Sequence, residues 1–286
     1  MKLVRYGTAG QERPGLIDTQ GKLRDLSAHV SDIDAATLVR AGRARLAAID
    51  PATLPEVAGT PRHGAPVAHV GKMICVGLNY TDHAAETGAT PPEQPILFMK
   101  ATSAIMGPND DVIIPKDSVK TDWEVELGVV IGDTARHVSV ADALDHVAGY
   151  VVVNDLSERE FQLEHGGQWV KGKSCDTFGP IGPWLLTADE VADPQDLAMW
   201  LEVNGHRYQN GNTRNMIFGV AELVSYISRY MTLQPGDVIS TGTPAGVGLG
   251  FKPPVYLRAG DVIELGIDGL GRQRQRTVAY SDAAQS

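Results

Sequence analysis

The sequence has few cysteines, no excess of positive charge and no long apolar run. Cys75 and Cys175 are its only cysteines, so a disulfide-rich fold is excluded and a reducing cytoplasm is the expected compartment. Lys and Arg number 25 against 35 Asp and Glu, a formal net charge of −10, which argues against nucleic acid or a membrane surface as a partner. No stretch reaches the ~20 apolar residues of a membrane span, and no apolar signal run follows the first residues.

The rest of the composition is that of an ordinary globular protein. With 286 residues, 43% of them apolar, the chain can bury a large core in one big domain or two unequal ones. Residues 1–70 predict a small N-terminal α/β domain with a linker. Its predicted elements are strands at 4–6, 15–18 and 23–25, a helical stretch at 33–49 and a Pro-, Gly- and His-rich linker at 51–71.

Residues 71–286 contain many short apolar segments separated by Gly and Pro. The predicted strands are 73–78, 112–114, 124–131, 146–154, 200–203, 237–241, 255–257 and 262–267. One long helix is predicted at 213–230, where apolar residues follow helical spacing behind Thr213 as N-cap. Many short strands and one clear helix favour a β-rich α+β fold with a closed or sandwiched core over a doubly wound sheet.

Two glutamates and an aspartate form the most informative pattern. Glu124 and Glu126 stand two apart on a predicted strand and therefore share one face, and a neighbouring strand could bring Asp155 beside them. At roughly 5 Å and an effective dielectric near 20, each carboxylate pair would repel by about 3 kcal/mol without an interleaved cation. Either the acids stay apart on a solvated sheet face, or protons or a divalent metal hold them together. The four apolar residues that follow, 128–131, favour a site where a strand leaves the core.

Three further groups of residues suggest chemistry. His83 and Glu86 would be neighbours on one helical turn, as a general base and its supporting carboxylate are, although on spacing alone a surface helix start capped by Asp82 is the favoured explanation. Lys173 lies in a glycine-bounded tract that is either a solvated turn or an anion clamp. Arg159 and Gln162 follow Asp155 and face either substrate or solvent.

The glycine-rich segment 241–250 lacks the spacing of a dinucleotide fingerprint or a phosphate loop. Its backbone amides suit a small carboxylate better than a nucleotide. Cys175 as a nucleophile paired with a distant histidine is a weaker hypothesis than a small buried or loop cysteine.

Five ordered motifs between about residues 72 and 267 together resemble the fumarylacetoacetate hydrolase family. They are Gly77-Leu-Asn-Tyr-Thr-Asp-His-Ala-Ala-Glu86, Asp122-Trp-Glu-Val-Glu-Leu127, Val153-Asn-Asp155, Lys171-Gly-Lys-Ser-Cys-Asp-Thr-Phe178 and Ser240-Thr-Gly-Thr-Pro-Ala-Gly-Val-Gly248. The resemblance implies a mixed β-roll or barrel catalytic domain that binds Mg²⁺ or Mn²⁺, with Ca²⁺ as a substitute in crystals. One departure is Asn79, which stands near the position where larger family members carry an acid.

The resemblance also assigns roles to residues. It implies Glu124, Glu126 and Asp155 as metal ligands, His83 and Glu86 as a water-activating dyad, Lys173 as a cation near the substrate, and Gln162 and Thr243 as substrate contacts. Arg159 joins the substrate contacts because three acids and a divalent ion leave a net charge near −1, which an anionic substrate must overcome. A homodimer or higher homo-oligomer is the assembly that the family implies.

The local sequence, especially Gly166-Gly-Gln-Trp-Val-Lys-Gly-Lys173 and Asn210-Gly-Asn-Thr213, most resembles that of hydrolases of 2,4-diketo-3-deoxy sugar acids and of acylpyruvases. The expected reaction is attack of a His83-activated water on the C4 carbonyl of a small anionic 2-oxo acid, followed by cleavage of the C3–C4 bond. Ureidoglycolate lyases, oxaloacetate decarboxylases and muconate-type isomerases resemble the same motifs, and the family does not choose among these activities. A non-catalytic binding module with a structural Ca²⁺ is the alternative from another class.

Overall fold

A computed structural model describes residues 1–88 and 90–281. Its α-helices are α1 (Ala35–Leu38), α2 (Arg40–Ala47), α3 (Thr81–Thr87), α4 (Arg159–Leu163), α5 (Val170–Lys173) and α6 (Val220–Ile227). Its strands are β1 (Lys2–Tyr6), β2 (Arg13–Ile17), β3 (Leu23–Asp25), β4 (Met73–Gly77), β5 (Ile96–Lys100), β6 (Ile105–Met106), β7 (Val112–Ile113), β8 (Thr121–Asp122), β9 (Val125–Ile131), β10 (Val147–Asn154), β11 (Ser157–Glu158), β12 (Gly179–Thr187), β13 (Ala198–Val203), β14 (His206–Asn212), β15 (Val238–Ser240), β16 (Val262–Ile267) and β17 (Gly271–Val278). Every described helix is too short or too polar to traverse a lipid bilayer.

Two large sheets organise these strands. The ten-stranded sheet has the order β3-β2-β1-β12-β10-β9-β15-β4-β5, with β6 paired to β12, and the five-stranded sheet has the order β14-β13-β16-β17-β7. Both orders end in edge strands within the described residues, so the α+β, strand-rich class is confirmed while "roll" describes the fold better than "barrel". The N-terminal strands join the large sheet through β1, where Leu3 pairs with Leu185. The domain boundary at residues 70 and 71 stays a prediction.

The core lies on both faces of the large sheet. Alternate residues of β9 from Val125 to Ile131 pack into the cluster shared with the five-stranded sheet, whereas Val130 packs with the N-terminal helices on the other face. All seven residues of β9 are buried. This strand is therefore a central strand, and the solvated-face explanation of its glutamates is wrong.

The two longest helical predictions are corrected by local hydrogen bonds. Residues 213–230 form a 3₁₀ turn at Thr213–Asn215 and then α6, because the backbone between them is diverted: Ile217 N donates to Asn79 O at 2.7 Å. The cap of the 3₁₀ turn is Asn212, not Thr213. In the other case, residues 33–49 split into α1 and α2 at Val39, whose backbone is extended.

Several strands differ from the expectations as well. The segment 255–257 is not part of a strand, although Leu257 N donates to Thr121 O at 2.8 Å. The strands β5, β6, β8, β11, β12, β14 and β17 were not predicted. In β17 the pattern is polar, yet Gln273 and Gln275 point inward and are fully buried, which hides the strand from a hydrophobicity argument.

Candidate metal centre and active site

The strand register brings the three acids together. In the antiparallel pair of β9 and β10, Glu126 stands opposite Val153, and the ladder continues with Asp155 N donating to Glu124 O at 2.9 Å. Asp155 therefore lies across from Glu124, on the face that Glu124 shares with Glu126. One carboxylate oxygen from each acid lies within 4.8 Å of the others, and their exposed fractions are only 5%, 2% and 0%. The predicted convergence is confirmed.

Two lysines neutralise this cluster, so the expectation of acids without an interleaved cation is wrong. Lys173 Nζ donates to Glu124 Oε2 at 2.6 Å and to Asp155 Oδ2 at 2.8 Å. Lys100 Nζ donates to Asp155 Oδ1 at 2.5 Å and to Leu156 O at 2.9 Å. Lys173 therefore bridges two of the acids as well as facing the cavity. Lys100 was missed because β5 was not predicted, although a lysine ending the apolar run Ile-Leu-Phe-Met is the signal that could have found it.

A third cation lies on the opposite side of Glu124. Arg159, at the start of α4, donates from Nη2 to Glu124 Oε1 at 2.7 Å, from Nε to Asp122 Oδ2 at 2.8 Å and from Nη1 to Gln162 Oε1 at 3.0 Å. Its side chain is buried, which removes the solvent-facing alternative. Arg159 and Gln162 thus form one hydrogen-bonded unit beside the acids.

The charges perturb the two glutamates in opposite directions. For Glu124, burial favours the neutral acid, but Lys173 and Arg159 outweigh it and lower the pKa to about 2. For Glu126, burial together with the charges of Asp155 and Glu124 raises the pKa well above its ordinary value. The site therefore holds one firmly ionised carboxylate beside one that lacks a cationic partner of its own. That imbalance favours a further cation near Glu126.

The acids suit a hard divalent ion. All three donors are carboxylate oxygens, which Mg²⁺ and Mn²⁺ prefer over the nitrogen and sulfur ligands typical of zinc. Around an octahedral ion with bonds of about 2.0–2.1 Å, ligand oxygens lie about 3 to 4 Å apart. The 4.8 Å span of the described oxygens is close to that range. Asn79 carries an amide and therefore supplies no fourth acid. Its Nδ2 donates to Thr241 O at 2.8 Å and to Phe218 O at 3.0 Å.

The glycine-rich segment 241–250 follows β15 and binds carboxylates of the chain itself. Gly242 N donates to Glu126 Oε2 at 2.9 Å and Gly246 N to Glu86 Oε1 at 3.0 Å. Gly248 N and Leu249 N donate to the two oxygens of Asp122. The expectation that these backbone amides receive an external carboxylate is therefore corrected for these four.

The predicted dyad lies on α3. His83 Nδ1 and Glu86 Oε2 are 3.4 Å apart, a long contact for a hydrogen bond. Both oxygens of Glu86 accept from Gly246 N, at 3.0 and 3.1 Å, and His83 is 8% exposed. Asp82 accepts from His83 N at 2.8 Å but is not the N-cap, which is Tyr80. The simple surface-helix explanation does not account for a histidine buried in this way.

A cavity of about 240 Å³ joins these groups. Of the nine predicted site residues, Asp155 and Glu86 lie behind the wall and the others line it. The full lining is Val76, Gly77, Leu78, His83, Phe98, Glu124, Glu126, Arg159, Gln162, Leu163, Trp169, Lys173, Thr243, Val247 and Leu249. Thr243 donates to Val125 O at 2.9 Å and accepts from Gln209 Nε2 at 2.8 Å, so it is firmly oriented. The roles of all these residues stay predictions.

Cys175 does not support the nucleophile hypothesis. It borders a different cavity, beside Lys116 and Tyr280, and burial raises the pKa of its thiol to about 11. Only about one thiol in 10⁴ would then be ionised at pH 7, whereas a cysteine nucleophile needs a lowered pKa.

The site combines three buried acids, two lysines and a histidine beside one cavity in a roll of strands. This combination is typical of an enzyme active site, and the family comparison agrees with it. The model of the fumarylacetoacetate hydrolase C-terminal family matches residues 72–278. The chain belongs to the fumarylacetoacetate hydrolase family.

Particular relatives include hydrolases and isomerases. A Burkholderia lata protein named "Putative hydrolase" is 66% identical over 97% of this chain and 99% of its own. Among solved structures, a fumarylacetoacetate hydrolase from Exiguobacterium antarcticum is 38% identical, with a TM-score of 0.88 over 98% of this chain and 100% of that one. A maleylpyruvate hydrolase from Sphingobium sp. SYK-6, in complex with manganese(II) and pyruvate, is 32% identical, with a TM-score of 0.81 over 98% and 100%. A 2-hydroxyhepta-2,4-diene-1,7-dioate isomerase from Mycobacterium marinum is 33% identical, with a TM-score of 0.76 over 99% and 100%.

Proposed function

We propose that the protein is a divalent-metal-dependent hydrolase that cleaves the C3–C4 bond of a 2,4-dioxo acid and releases pyruvate and a second acid. The observation that carries this proposal is the buried cluster of Glu124, Glu126 and Asp155 beside the cavity that His83 also lines. A 2,4-diketo-3-deoxy sugar acid is the preferred substrate, because Trp169 and Lys173, from the motif closest to hydrolases of such acids, line the cavity.

Glu124, Glu126 and Asp155 are the residues that would hold the ion. When bound, Mg²⁺ or Mn²⁺ supplies Lewis-acid polarisation of a chelating 2-oxo acid. With the ion bound, Glu126 would be ionised as a ligand. The four carboxylates of Glu124, Glu126, Asp155 and Asp122, the cations Lys100, Lys173 and Arg159, and the divalent ion would then sum to about one positive charge. That balance suits a substrate bearing one carboxylate. Arg159, Gln162, Lys173 and Thr243 are its proposed contacts.

His83 is proposed to act as the general base. Its Nδ1 faces Glu86, which favours the proton on that nitrogen and makes Nε2 the basic one. The 3.4 Å contact is typical of a dyad that tightens when substrate binds. Nε2 takes a proton from water, and the water oxygen bonds to C4, which places a negative charge on the C4 oxygen. The C4–O double bond re-forms as the C3–C4 bond breaks, and the electron pair of the broken bond passes to C3 as the enolate of pyruvate. The proton held on Nε2 then passes to C3, which completes pyruvate and restores the neutral base.

Product analysis tests this proposal against its rivals. The purified protein would be incubated with a panel of acylpyruvates and 2,4-diketo-3-deoxy sugar acids, with Mg²⁺ or Mn²⁺ and with EDTA, in ¹⁸O-labelled water. We expect pyruvate release that EDTA abolishes, with one labelled oxygen in the second acid. An isomerase, lyase or decarboxylase would need the metal but place no solvent oxygen in a cleaved acid.

A non-catalytic calcium-stabilised module would show no EDTA-sensitive turnover, and that result would reject the proposal. Two further sequence predictions stay open, assembly as a homodimer or higher homo-oligomer and a cytoplasmic location. Light scattering on the purified protein tests the first, and fractionation of cells that express the protein tests the second.

A further inference from the structure

We infer that Asp122 is a positioning residue that joins Arg159 and the glycine-rich segment 241–250 into one wall of the substrate cavity. The inference rests on the proposed function in taking Arg159 as a substrate contact. Asp122 is fully buried and lies behind the cavity wall, so it acts through its neighbours. Nothing in the sequence motifs assigns it a role.

All four bonding directions of the Asp122 carboxylate are occupied by donors. Oδ1 accepts from Trp123 N at 2.8 Å and from Gly248 N at 2.7 Å. Oδ2 accepts from Leu249 N at 2.9 Å and from Arg159 Nε at 2.8 Å. The carboxylate therefore ties the loop backbone and the guanidinium to the same two oxygens.

Arg159 transmits this anchoring to the site. With Nε held by Asp122, its two terminal nitrogens reach Gln162 and the proposed metal ligand Glu124. A guanidinium presents its donors in a rigid planar fork, so one anchored nitrogen sets the direction of the other two. Leu249, held by the same carboxylate, lines the cavity beside Arg159. Asp122 thereby sets the distance between the loop and α4.

Gly248 is matched to this arrangement. A Cβ at this position would lie 2.7 Å from Asp122 Oδ1 and 2.0 Å from Val255 O. The loop can approach the carboxylate this closely only because residue 248 has no side chain. The contact between Asp122 and Gly248 therefore requires both the buried carboxylate and the absence of a side chain at residue 248.

An amide cannot replace this carboxylate. In Asp122→Asn the single remaining oxygen can accept from one pair of donors, and the NH₂ group then faces the other pair, donor against donor. Whichever way the amide turns, either Arg159 and Leu249 or Trp123 and Gly248 lose their acceptor. The variant therefore removes the anchor while hardly changing the size of the side chain.

Asp237 supplies a matched control that does not line the cavity. It is also a buried aspartate, 1% exposed, and accepts from Lys72 N at 2.9 Å and Gln234 N at 2.7 Å. Lys72 Nζ lies 2.5 Å from its second oxygen. Asp237→Asn therefore removes a carboxylate with comparable backbone and cationic partners but without a bond to Arg159 or to the glycine-rich segment.

The experiment measures binding as well as turnover. Calorimetry on Mn²⁺-loaded protein gives the Kd of oxalate, an unreactive dicarboxylate, and of pyruvate, and assays give KM and kcat for the best dioxo acid. Wild type, Asp122→Asn, Arg159→Gln, the double variant and Asp237→Asn would be compared, with Tm recorded for each. If Asp122→Asn does not fold, Asp122→Glu, which shifts the charge by one methylene, provides the same measurements.

For Asp122→Asn we expect the oxalate Kd and the KM to rise about tenfold or more, while kcat falls less than threefold and the Mn²⁺ Kd changes less than threefold. Adding Asp122→Asn to Arg159→Gln should cost less than threefold further, since the anchor then has nothing to position. Asp237→Asn should lower Tm by about as much as Asp122→Asn does, but it should leave the oxalate Kd and the KM unchanged.

The inference would be overturned if Asp122→Asn and Arg159→Gln had additive effects on the oxalate Kd. It would also be overturned if Asp122→Asn lowered Tm but left oxalate binding unchanged. So would a wild-type protein that binds no oxalate or pyruvate. Wild-type protein that binds oxalate but cleaves no dioxo acid would reject the proposed function alone, because the binding comparison still reports on Asp122.

Discussion

Replacing Lys173 by Met tests how the acidic cluster is neutralised without a metal. At the 4.8 Å limit that separates the three carboxylate oxygens, an effective dielectric near 20 gives a repulsion of about 3.5 kcal/mol for each ionised pair. Lys173 offsets much of this by lying 2.6 and 2.8 Å from two of the acids. Met has a side chain of similar length and no charge, so the variant removes the ammonium group with little change in packing.

The expected cost is large when no metal is bound. Breaking a buried ion pair by removing one partner costs about 3–5 kcal/mol, which corresponds to a Tm lower by roughly 5–8 °C for a chain of 286 residues. A saturating divalent ion supplies the missing positive charge. The stabilisation by Mg²⁺ or Mn²⁺ should therefore be larger in Lys173→Met than in the wild type, by about 2 kcal/mol or more.

The assay is thermal unfolding of both proteins in EDTA and at several metal concentrations. Lys120→Met is the matched control, because Lys120 pairs with Glu164 at 2.5 Å but both side chains are partly exposed, and such pairs contribute about 0–1 kcal/mol. A metal-free Tm of Lys173→Met within 2 °C of the wild type would refute this account of the cluster. A Tm that falls and is not restored preferentially by metal would refute the idea that a bound ion offsets the same carboxylate repulsion as the ammonium group.

Four other predictions concern single residues. Glu126→Gln should abolish Mn²⁺ binding in calorimetry, and near-normal affinity would reject Glu126 as a ligand, whereas His83→Asn should slow turnover by roughly 10²–10⁴ and leave that affinity intact. Gly246→Ala should destabilise the protein by about 2–4 kcal/mol in urea unfolding, because its Cβ would lie 2.0 Å from Tyr208 O at a φ of +104°; Gly205→Ala, at positive φ in open space, should cost only about 1–2 kcal/mol. Alkylation of Cys175 by iodoacetamide should accelerate about tenfold per pH unit up to about pH 11, its thiol pKa, without loss of turnover at pH 7, and rapid inactivation at pH 7 would contradict the assignment.

The acidic cluster could be predicted because strand geometry is local and periodic. The spacing of Glu124 and Glu126 sets their common face, and the apolar residues that follow mark a strand entering the core. The neutralising lysine Lys100 could not be placed, since it comes from β5, a strand that the sequence pattern did not reveal. Which cation meets which acid depends on long-range pairing, and no single segment encodes that.

The misjudged helix has a different cause. Residues 213–230 carry helical spacing throughout, but Asn79 captures the backbone of Ile217 and Phe218 and the helix begins only after Gly219. Asn79, more than a hundred residues away in the sequence, therefore determines where the helix starts through its backbone and side-chain oxygens. The buried glutamines of β17 are the converse case, in which tertiary hydrogen bonds, such as Gln273 Nε2 to Val152 O at 2.8 Å, satisfy polar groups that the sequence pattern would place in solvent.

The glycine-rich segment that grips Glu86, Glu126 and Asp122 at once leaves little room for evolutionary change on its side of the cavity. Any shift of its backbone would disturb the proposed base His83, through Glu86, the proposed metal ligand Glu126 and the guanidinium of Arg159 together. Divergence toward new substrates should therefore concentrate on cavity residues outside this segment, such as Leu163 and Trp169.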